Sequence, residues 1–594
     1  MTWTPRPVGR GHWVAVFFLS LAASLPYVGK AFHIDDILYL RVADQIRRTP
    51  DDPYGGLVLW DAPDGQPSSL FLTDFNPPLW KYLLAATLSF GAGGRIRDAE
   101  IVMHLPTVAA VVLAGIGLFQ VSRRFVRWPL WATAFMLLGP FFLPGQNLML
   151  EAPLLAWSVW AVEAQCRAWD KPGRSWWPLF AGICCAGAAL TKYTGGLLLP
   201  ILLGGCWFRR RLDTAWFLIF PSLAIAGWMA FGAAKYGRSH LGAQGIAFEA
   251  EAWPLRVLCV LRTIGSLWLL LPATMLALCK EKRGVLIAFV ILLASAGVAA
   301  LDLWQVNKAE FLEGWKPSLL QATHFLLFTG AGTFTVLAIA ALLWLSWRRG
   351  DFDSRRRFLA LWLTGLFVFN VACTPFNAVR HLLLFFVPLV WLTADLVAAA
   401  LEAGWLRYGS LALSAGLASA LAAADYDFAA GYRTVAEREV RRLVTERNSA
   451  GRSVWFTGNW GFVHYCILAG ANPWVTKPEQ YGLPPIQPGD RLIHPVLLTW
   501  TDLYKTLPPG MTLATREHWQ PQAEGGITPP ALVGQFLRTV APGVNYYSVR
   551  RFALPWQLLV RPAEAAERAQ GMYFYLPTLG DILTYEVVAK PSSP

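Results

Sequence analysis

The sequence predicts an α-helical, polytopic membrane protein of about 13 spans, with a long first outer loop bearing juxtamembrane helices and a C-terminal α/β domain. Three observations predict it. Of the 594 residues, 55% are hydrophobic and 15% charged, against about 25% charged in a soluble domain. The apolar residues fall in runs close to the roughly 20 needed to cross a bilayer. The loops between alternate runs are short and rich in Lys and Arg, as cytoplasmic loops are.

Candidate spans lie near residues 13–30, 103–121, 129–145, 150–168, 176–191, 193–207, 214–233, 253–278, 284–302, 319–346, 357–373, 379–399 and 407–424. The first, behind Arg6 and Arg10, reads as a retained signal anchor because many spans follow it. With this set, "RRFVR" (123–127), "RAWDKPGR" (167–174), "RRRLD" (209–213), "KEKR" (280–283) and "RRGDFDSRRR" (348–357) all fall on the side of the N-terminus. One apolar stretch, "PPLWKYLLAATLSFGAGG" (77–94), is left out, since counting it would put every later basic loop on the opposite side. It reads as an amphipathic or re-entrant helix at the outer face, opened by Pro77 and Pro78, where a missing N–H costs nothing.

An odd span number places residues 31–102 and everything after about 425 on the outer side. The chain thus divides into a membrane domain, 1–424, and a C-terminal α/β domain, 425–594. In the first outer segment Leu38, Val42 and Ile46 recur every four residues, and Asp44 and Arg48 are spaced for an i,i+4 pair, so Asp35 and Asp36 open a helix. In the tail "RTVAEREVRRLVTER" and "GFVHYCILAG" read as helices, while "SVWFTG", "DRLIHPVLLTW" and "YSVRRFALPWQLLV" read as strands.

A net charge of +13 raises the question of nucleic acid, but 35 of the 51 basic and 24 of the 38 acidic residues precede position 424, so 11 of the 13 excess charges belong to the apolar part. There they orient the protein. No nucleic-acid partner is expected. Six cysteines lie in or beside apolar runs and Cys373 and Cys466 are distant singles, so there is no disulfide framework and no C-x-x-C metal spacing. Nor is there an H-x-x-x-H, and "DFD" (351–353) falls on the cytoplasmic side. The expected chemistry needs no cofactor and no metal, although Asp35, Asp36 and Glu151 keep a divalent cation open as a ligand.

Unpaired charge beside hydrocarbon is costly and persists where it has a partner or a task. On the outer rim the sequence offers Asp35, Asp36, Glu151 in "GQNLMLEAPLL", Lys192 in "LTKYTGG", Lys235, Arg238 and His240 in "AKYGRSHLG", and Arg380 with His381 in "FNAVRHLLL". Each has a plain structural reading: the carboxylates as helix caps, the cations as chains snorkelling to the interface. Together they supply what glycosyl transfer from a lipid phosphate requires, a base for the attacking hydroxyl and cations for the departing phosphate.

"DDILYLRVADQI" resembles the "DE-a-Y-Y-L-x-x-A" segment of the GT-C membrane glycosyltransferases, a group that includes the protein O-mannosyltransferases and the bacterial lipid A aminoarabinose transferase. The resemblance continues in order: "NPPLWKYLLAATLSFGAG" is similar to "HPPLYYYLLALxxxLFG", "LEAPLLAWSVWAV" to "(D/E)-x-P-L-x-x-x", "TKYTGGLLLP" to "TKYTGLLLLP", "VRHLLLFFVPLVWL" to "xRYLLPxxPPLxLL", and "VWFTGNWGFVHY" to "WFxGHWGFQYY". It implies a GT-C fold and an inverting transfer of one sugar from a polyprenyl-phosphate donor to a lipid, glycan or protein acceptor. The setting it implies is the outer face of a bacterial inner membrane, with a cytoplasmic N-terminus and a periplasmic C-terminal domain.

Carried over by position, Asp35 is the acceptor-activating base, Asp36 stands for the family's Glu, and Glu151 is the second acidic residue. Lys192, Arg380 and His381 face the donor phosphate, and Asn76 and His240 join the substrate contacts. Asp36 is one methylene shorter than Glu, Asn76 stands where His is usual, His381 replaces Tyr and Asn459 replaces His. Two other functions fit the same span count: a transporter or flippase for a lipid-linked sugar, and a ligase or polymerase using a diphosphate-linked donor. A transporter places charges at the bilayer midplane and often shows inverted repeats; here the charges cluster at one rim and the sequence shows no repeat.

Overall fold

The computed structural model describes residues 3–60, 66–91, 96–171, 176–244, 253–267, 270–311, 319–374, 378–495, 507–519 and 582–589. Helices occupy every one of the expected span positions. Among the described residues five are long and apolar enough to cross a bilayer unaided: Ala99–Phe125, Leu212–Tyr236, Gly284–Gln305, Leu326–Arg349 and Val379–Leu396. The pair Trp253–Ser266 and Leu271–Cys279 passes the same test only when taken together and is bent by 93°, as a broken span or a re-entrant loop is. The rest are shorter or interrupted, as at 129–145, where the α-helix Pro129–Leu137 gives way to a 3-10 stretch, Pro140–Gln146.

The bundle has two chemically distinct ends. At one, the basic loops close on the N-terminal segment: the Trp3 ring packs edge-on to Phe125 and Trp169 at 5.3 and 5.1 Å, and Arg6 N–H donates to Arg123 O at 3.1 Å. Arg124 is buried against Glu163 and Asp170 at 2.7 and 2.5 Å. Arg211 donates to Trp169 O at 2.8 Å, and Arg349 pairs with Glu281 at 2.7 Å. The outer-rim candidates gather at the other end.

The helix Asp36–Arg48 has Leu38, Val42 and Ile46 buried as their spacing predicts, with Arg47 and Arg48 paired to Asp44 at 2.8 and 2.6 Å. It differs from a one-sided amphipathic helix in that Ile37, Tyr39, Leu40 and Ala43 are buried too. The cause is its position between the helix Leu79–Gly91 and the tail helix Gly461–Leu468. Leu79–Gly91 has 13 residues, about 20 Å of helix, too short to span and consistent with a segment lying at the rim.

The tail builds a five-stranded sheet. Numbering the strands from the hairpin β1 (Leu57–Val58) and β2 (Ser68–Ser69), these are β3 (Val454–Phe456), β4 (Asn472–Pro473), β5 (Arg491–Pro495), β6 (Met511–Trp519) and β7 (Ile582–Ala589), in the order β4-β3-β5-β7-β6. β3 runs parallel to β4 and β5, and β7 is antiparallel to β5 and β6. "SVWFTG", the start of "DRLIHPVLLTW" and the helix "GFVHYCILAG" form as expected. "YSVRRFALPWQLLV" lies outside the described residues. β6 and β7 were not read from sequence, β6 because charged Arg516 and Glu517 interrupt its alternation at a bulge.

The helix Gly404–Val435 runs unbroken through position 424 and continues, by a π turn, into Arg441–Asn448. Position 424 therefore falls inside a continuous helix. Contacts with the membrane part accompany it: Glu100 is buried against Arg433 and accepts from the Tyr465 hydroxyl at 2.5 Å, and that hydroxyl accepts from Phe32 N–H at 2.8 Å.

Candidate functional site

The loop 30–36 is held from three sides. Lys30, almost wholly buried, pairs with Asp425 and donates to Asn147 Oδ1 at 2.6 Å. His33 Nε2 lies 3.1 Å from Asp425 Oδ1. Ile34 sits at φ +50°, a left-handed conformation that a β-branched side chain adopts only under constraint, at a cost of about 1–3 kcal/mol.

Asp36 belongs to this scaffold. It is fully buried, and its two carboxylate oxygens accept from the backbone N–H groups of His33 at 3.2 Å and Leu148 at 3.1 Å. It ties the start of its own helix to the loop before the helix Glu151–Asp170. Asp35, one residue earlier, turns the other way. Its side chain makes no capping bond; it pairs instead with Arg380.

Arg380 is delivered by the 3-10 turn Val379–Leu382 that opens the helix Leu383–Leu396. A second pair stands nearby: Glu151, the first residue of its helix, meets Lys192 at 2.7 Å, at the break between the helices Trp176–Thr191 and Leu198–Phe208. Glu151 too makes this pair rather than a cap. Tyr39, one helical turn after Asp35, joins the two, for it lies in the field of Asp35, Glu151, Asp74 and Arg380.

Asp74 and Lys81 complete the cluster and were not singled out in the sequence. Both are fully buried, pair at 2.9 Å, and hold Lys81 Nζ 5.2 Å from the Tyr39 ring centre. Lys81 also donates to Asn76 O at 3.0 Å and Pro77 O at 2.9 Å. The signal was present: Lys81 follows Pro77 by four residues, one turn, within reach of carbonyls that Pro77 and Pro78 keep out of a helix. With three carboxylates and three cations, the cluster is neutral as it stands.

The remaining candidates sit further out. The Asn76 backbone N–H donates to Asp74 Oδ1 at 3.0 Å, so this residue shapes the turn. His240 is buried in an aromatic box, its Nδ1 2.7 Å from the Tyr193 hydroxyl and its ring stacked on Tyr54 at 5.1 Å, one residue removed from Lys192 through Tyr193. His381 is half-buried, and its N–H closes the turn on Ala378 O at 3.0 Å. Lys235 pairs with Asp51 at 3.2 Å near the surface. No group of three or more His, Cys, Asp or Glu shaped to hold a metal ion is found among the described residues.

Beside the cluster opens an apolar cavity of about 830 Å³ between the helices Leu79–Gly91, Ile96–Phe125, Glu151–Asp170 and Trp176–Thr191. Leu83, Phe90, Leu105 and Trp160 are among its walls. Trp80, Pro153 and Thr191 also line it, next to or two residues from Lys81, Glu151 and Lys192.

Residues 75–230 match the sequence model of the family described as dolichyl-phosphate-mannose-protein mannosyltransferase. The match takes in Lys81, Glu151 and Lys192. No curated protein matches the chain. Among solved structures the chain is similar to the archaeal oligosaccharyltransferase AglB from Archaeoglobus fulgidus in complex with an inhibitory peptide and a dolichol-phosphate, at 12% identity and a TM-score of 0.45, over 82% of this chain and 69% of that one. It is also similar to ArnT from Cupriavidus metallidurans in the apo state, at 14% identity and a TM-score of 0.37, over 84% and 94%. A second structure of ArnT, bound to undecaprenyl phosphate, is 13% identical with a TM-score of 0.34.

Proposed function

We propose that this chain is an integral-membrane, inverting glycosyltransferase. It moves one sugar from a polyprenyl-phosphate donor to an acceptor hydroxyl at the outer face of a bacterial inner membrane. The observation that carries the reading is that two largely buried acid–base pairs, Asp35–Arg380 and Glu151–Lys192, form between distant parts of the chain, with Asp35 and Glu151 both acting on Arg380. The family match over 75–230 and the apolar cavity beside the cluster support the same donor.

The neutral cluster suggests how the step runs. Buried charges must stay paired, so a donor phosphate enters by exchange: Arg380, whose planar fork suits two phosphate oxygens, turns from Asp35 to the phosphate, while Lys192 keeps Glu151 and offers the phosphate another of its three N–H donors. Asp35 is thereby released to act as base. The acceptor oxygen attacks the anomeric carbon as its proton passes to Asp35. The bond from that carbon to the phosphate oxygen breaks, and its electron pair leaves on the phosphate, held by the cations. The polyprenyl tail lies in the apolar cavity. On this reading the chain crosses thirteen times, with the N-terminus and basic loops in the cytoplasm and the tail domain in the periplasm.

Purified protein given a panel of polyprenyl-phosphate sugars and acceptors should release polyprenyl phosphate, detected by mass spectrometry. Lipid movement across vesicles with no glycosidic product would contradict the reading, and a spent lipid bearing two phosphates would replace the donor class.

A further inference from the structure

A second cavity, of about 330 Å³, lies on the other face of the helix Asp36–Arg48. Asp35 and Tyr39 look toward the charged cluster; Ile37 and Arg41, each two residues and so about 200° further round, line this second cavity. Its opposite wall comes from the tail. Trp60 of the first outer segment lines it together with Trp460, Pro473 and Tyr481 of the tail.

Two observations mark it as a built site. The loop "TGNWG" is strained at Trp460, φ +58° and ψ −140°, and strain of this kind collects at ligand clamps. Gly461 locks it in place, because a Cβ there would stand 2.2 Å from Phe32 O. Arg41, moreover, is half-buried in the wall, and among the described residues its guanidinium makes no hydrogen bond or ion pair, although Asp44 attracts it from one turn away. Adjacent His464 is pulled down to about 3 by burial and by Arg41, so it adds no charge.

We infer that this pocket holds a distal, acidic part of the acceptor, a saccharide carrying a carboxylate or phosphate; the inference rests on the glycosyl-transfer reading above. The weakly positive C–H face of a pyranose packs on the negative face of an indole or phenol ring, and Arg41 pairs with the anion. A peptide strand is disfavoured because the sheet edge here is β4, whose Pro473 has no N–H to offer it.

The test is equilibrium binding to the full chain in nanodiscs of trigalacturonate, 6-phosphorylated maltotriose, neutral maltotriose and hexaglutamate. An acidic trisaccharide should bind at least tenfold more tightly than maltotriose, and the tighter of the two acids identifies the group. Arg41→Gln should erase that preference, and Tyr481→Leu should weaken all three saccharides. Binding unchanged in Arg41→Gln, no saccharide bound, or hexaglutamate alone bound would each overturn the pocket. Polyprenyl phosphate release is followed on the same samples. Release by both wild type and Arg41→Gln with unchanged binding sinks the pocket alone, whereas acid-selective binding without release from any donor supports a saccharide site and sinks the transferase reading.

Discussion

Asp35 and Asp36 are neighbours of the same chemistry with opposite surroundings. About 100° of helix separates them, enough to send one side chain to Arg380 and the other to two backbone N–H groups. Both read as caps in the sequence, because capping depends on local position while the choice made here depends on Leu148 and Arg380, more than a hundred residues away. Asp36→Ala leaves the N–H groups of His33 and Leu148 buried and unpaired, which costs roughly 2–5 kcal/mol. The thermal unfolding midpoint should fall accordingly, and Asp36→Asn, which keeps one acceptor oxygen, should fall less. An unchanged midpoint would show that the carboxylate is not holding the loop. Arg380→Lys keeps the charge and loses the fork; donor affinity should weaken about tenfold, and titration with a polyprenyl-phosphate sugar measures it. Equal affinity would leave Arg380 as a chain snorkelling to the interface.

The four helices around the apolar cavity extend the account to chain length. Ala109 lines this cavity, and Ala109→Phe should raise KM at least tenfold for a long polyprenyl donor while leaving a short-chain analogue unaffected. An equal effect on both would place the tail elsewhere. Elements of this kind were legible where one environment acts on them. The helix "PPLWKYLLAATLSFG" was found from its apolar run and prolines, and "GFVHYCILAG" from its composition. Burial of the helix Asp36–Arg48 on nearly every side was hidden, since its roof is supplied by residues 461–468. The spacing of Lys81 from Pro77 was legible, but its pairing with Asp74 was not: seven residues apart, across two prolines, they meet only because the turn at Asn76 brings them together.

Over the whole molecule, the separation into a basic end and an acid–base end was written in the loops, because charge beside a bilayer sorts by side. Trp3, Arg124 and Arg349 collect one set; Asp35, Glu151, Lys192 and Arg380 collect the other. A boundary at 424 was drawn where hydropathy falls, yet the helix Gly404–Val435 passes straight through it, since helix continuity is blind to the change of solvent. That helix carries Asp425 to Lys30 and Arg433 to Glu100, and so fixes the loop that presents Asp35.

The central claim is that Asp35 gives up Arg380 to the donor phosphate and then serves as base, and Asp35→Asn tests it most directly. With a neutral hydroxyl acceptor kcat should fall by about 10²–10⁴, while the donor should bind several-fold more tightly, because Arg380 no longer has to leave a carboxylate. Full turnover on such an acceptor, or donor binding weakened along with kcat, would contradict the account.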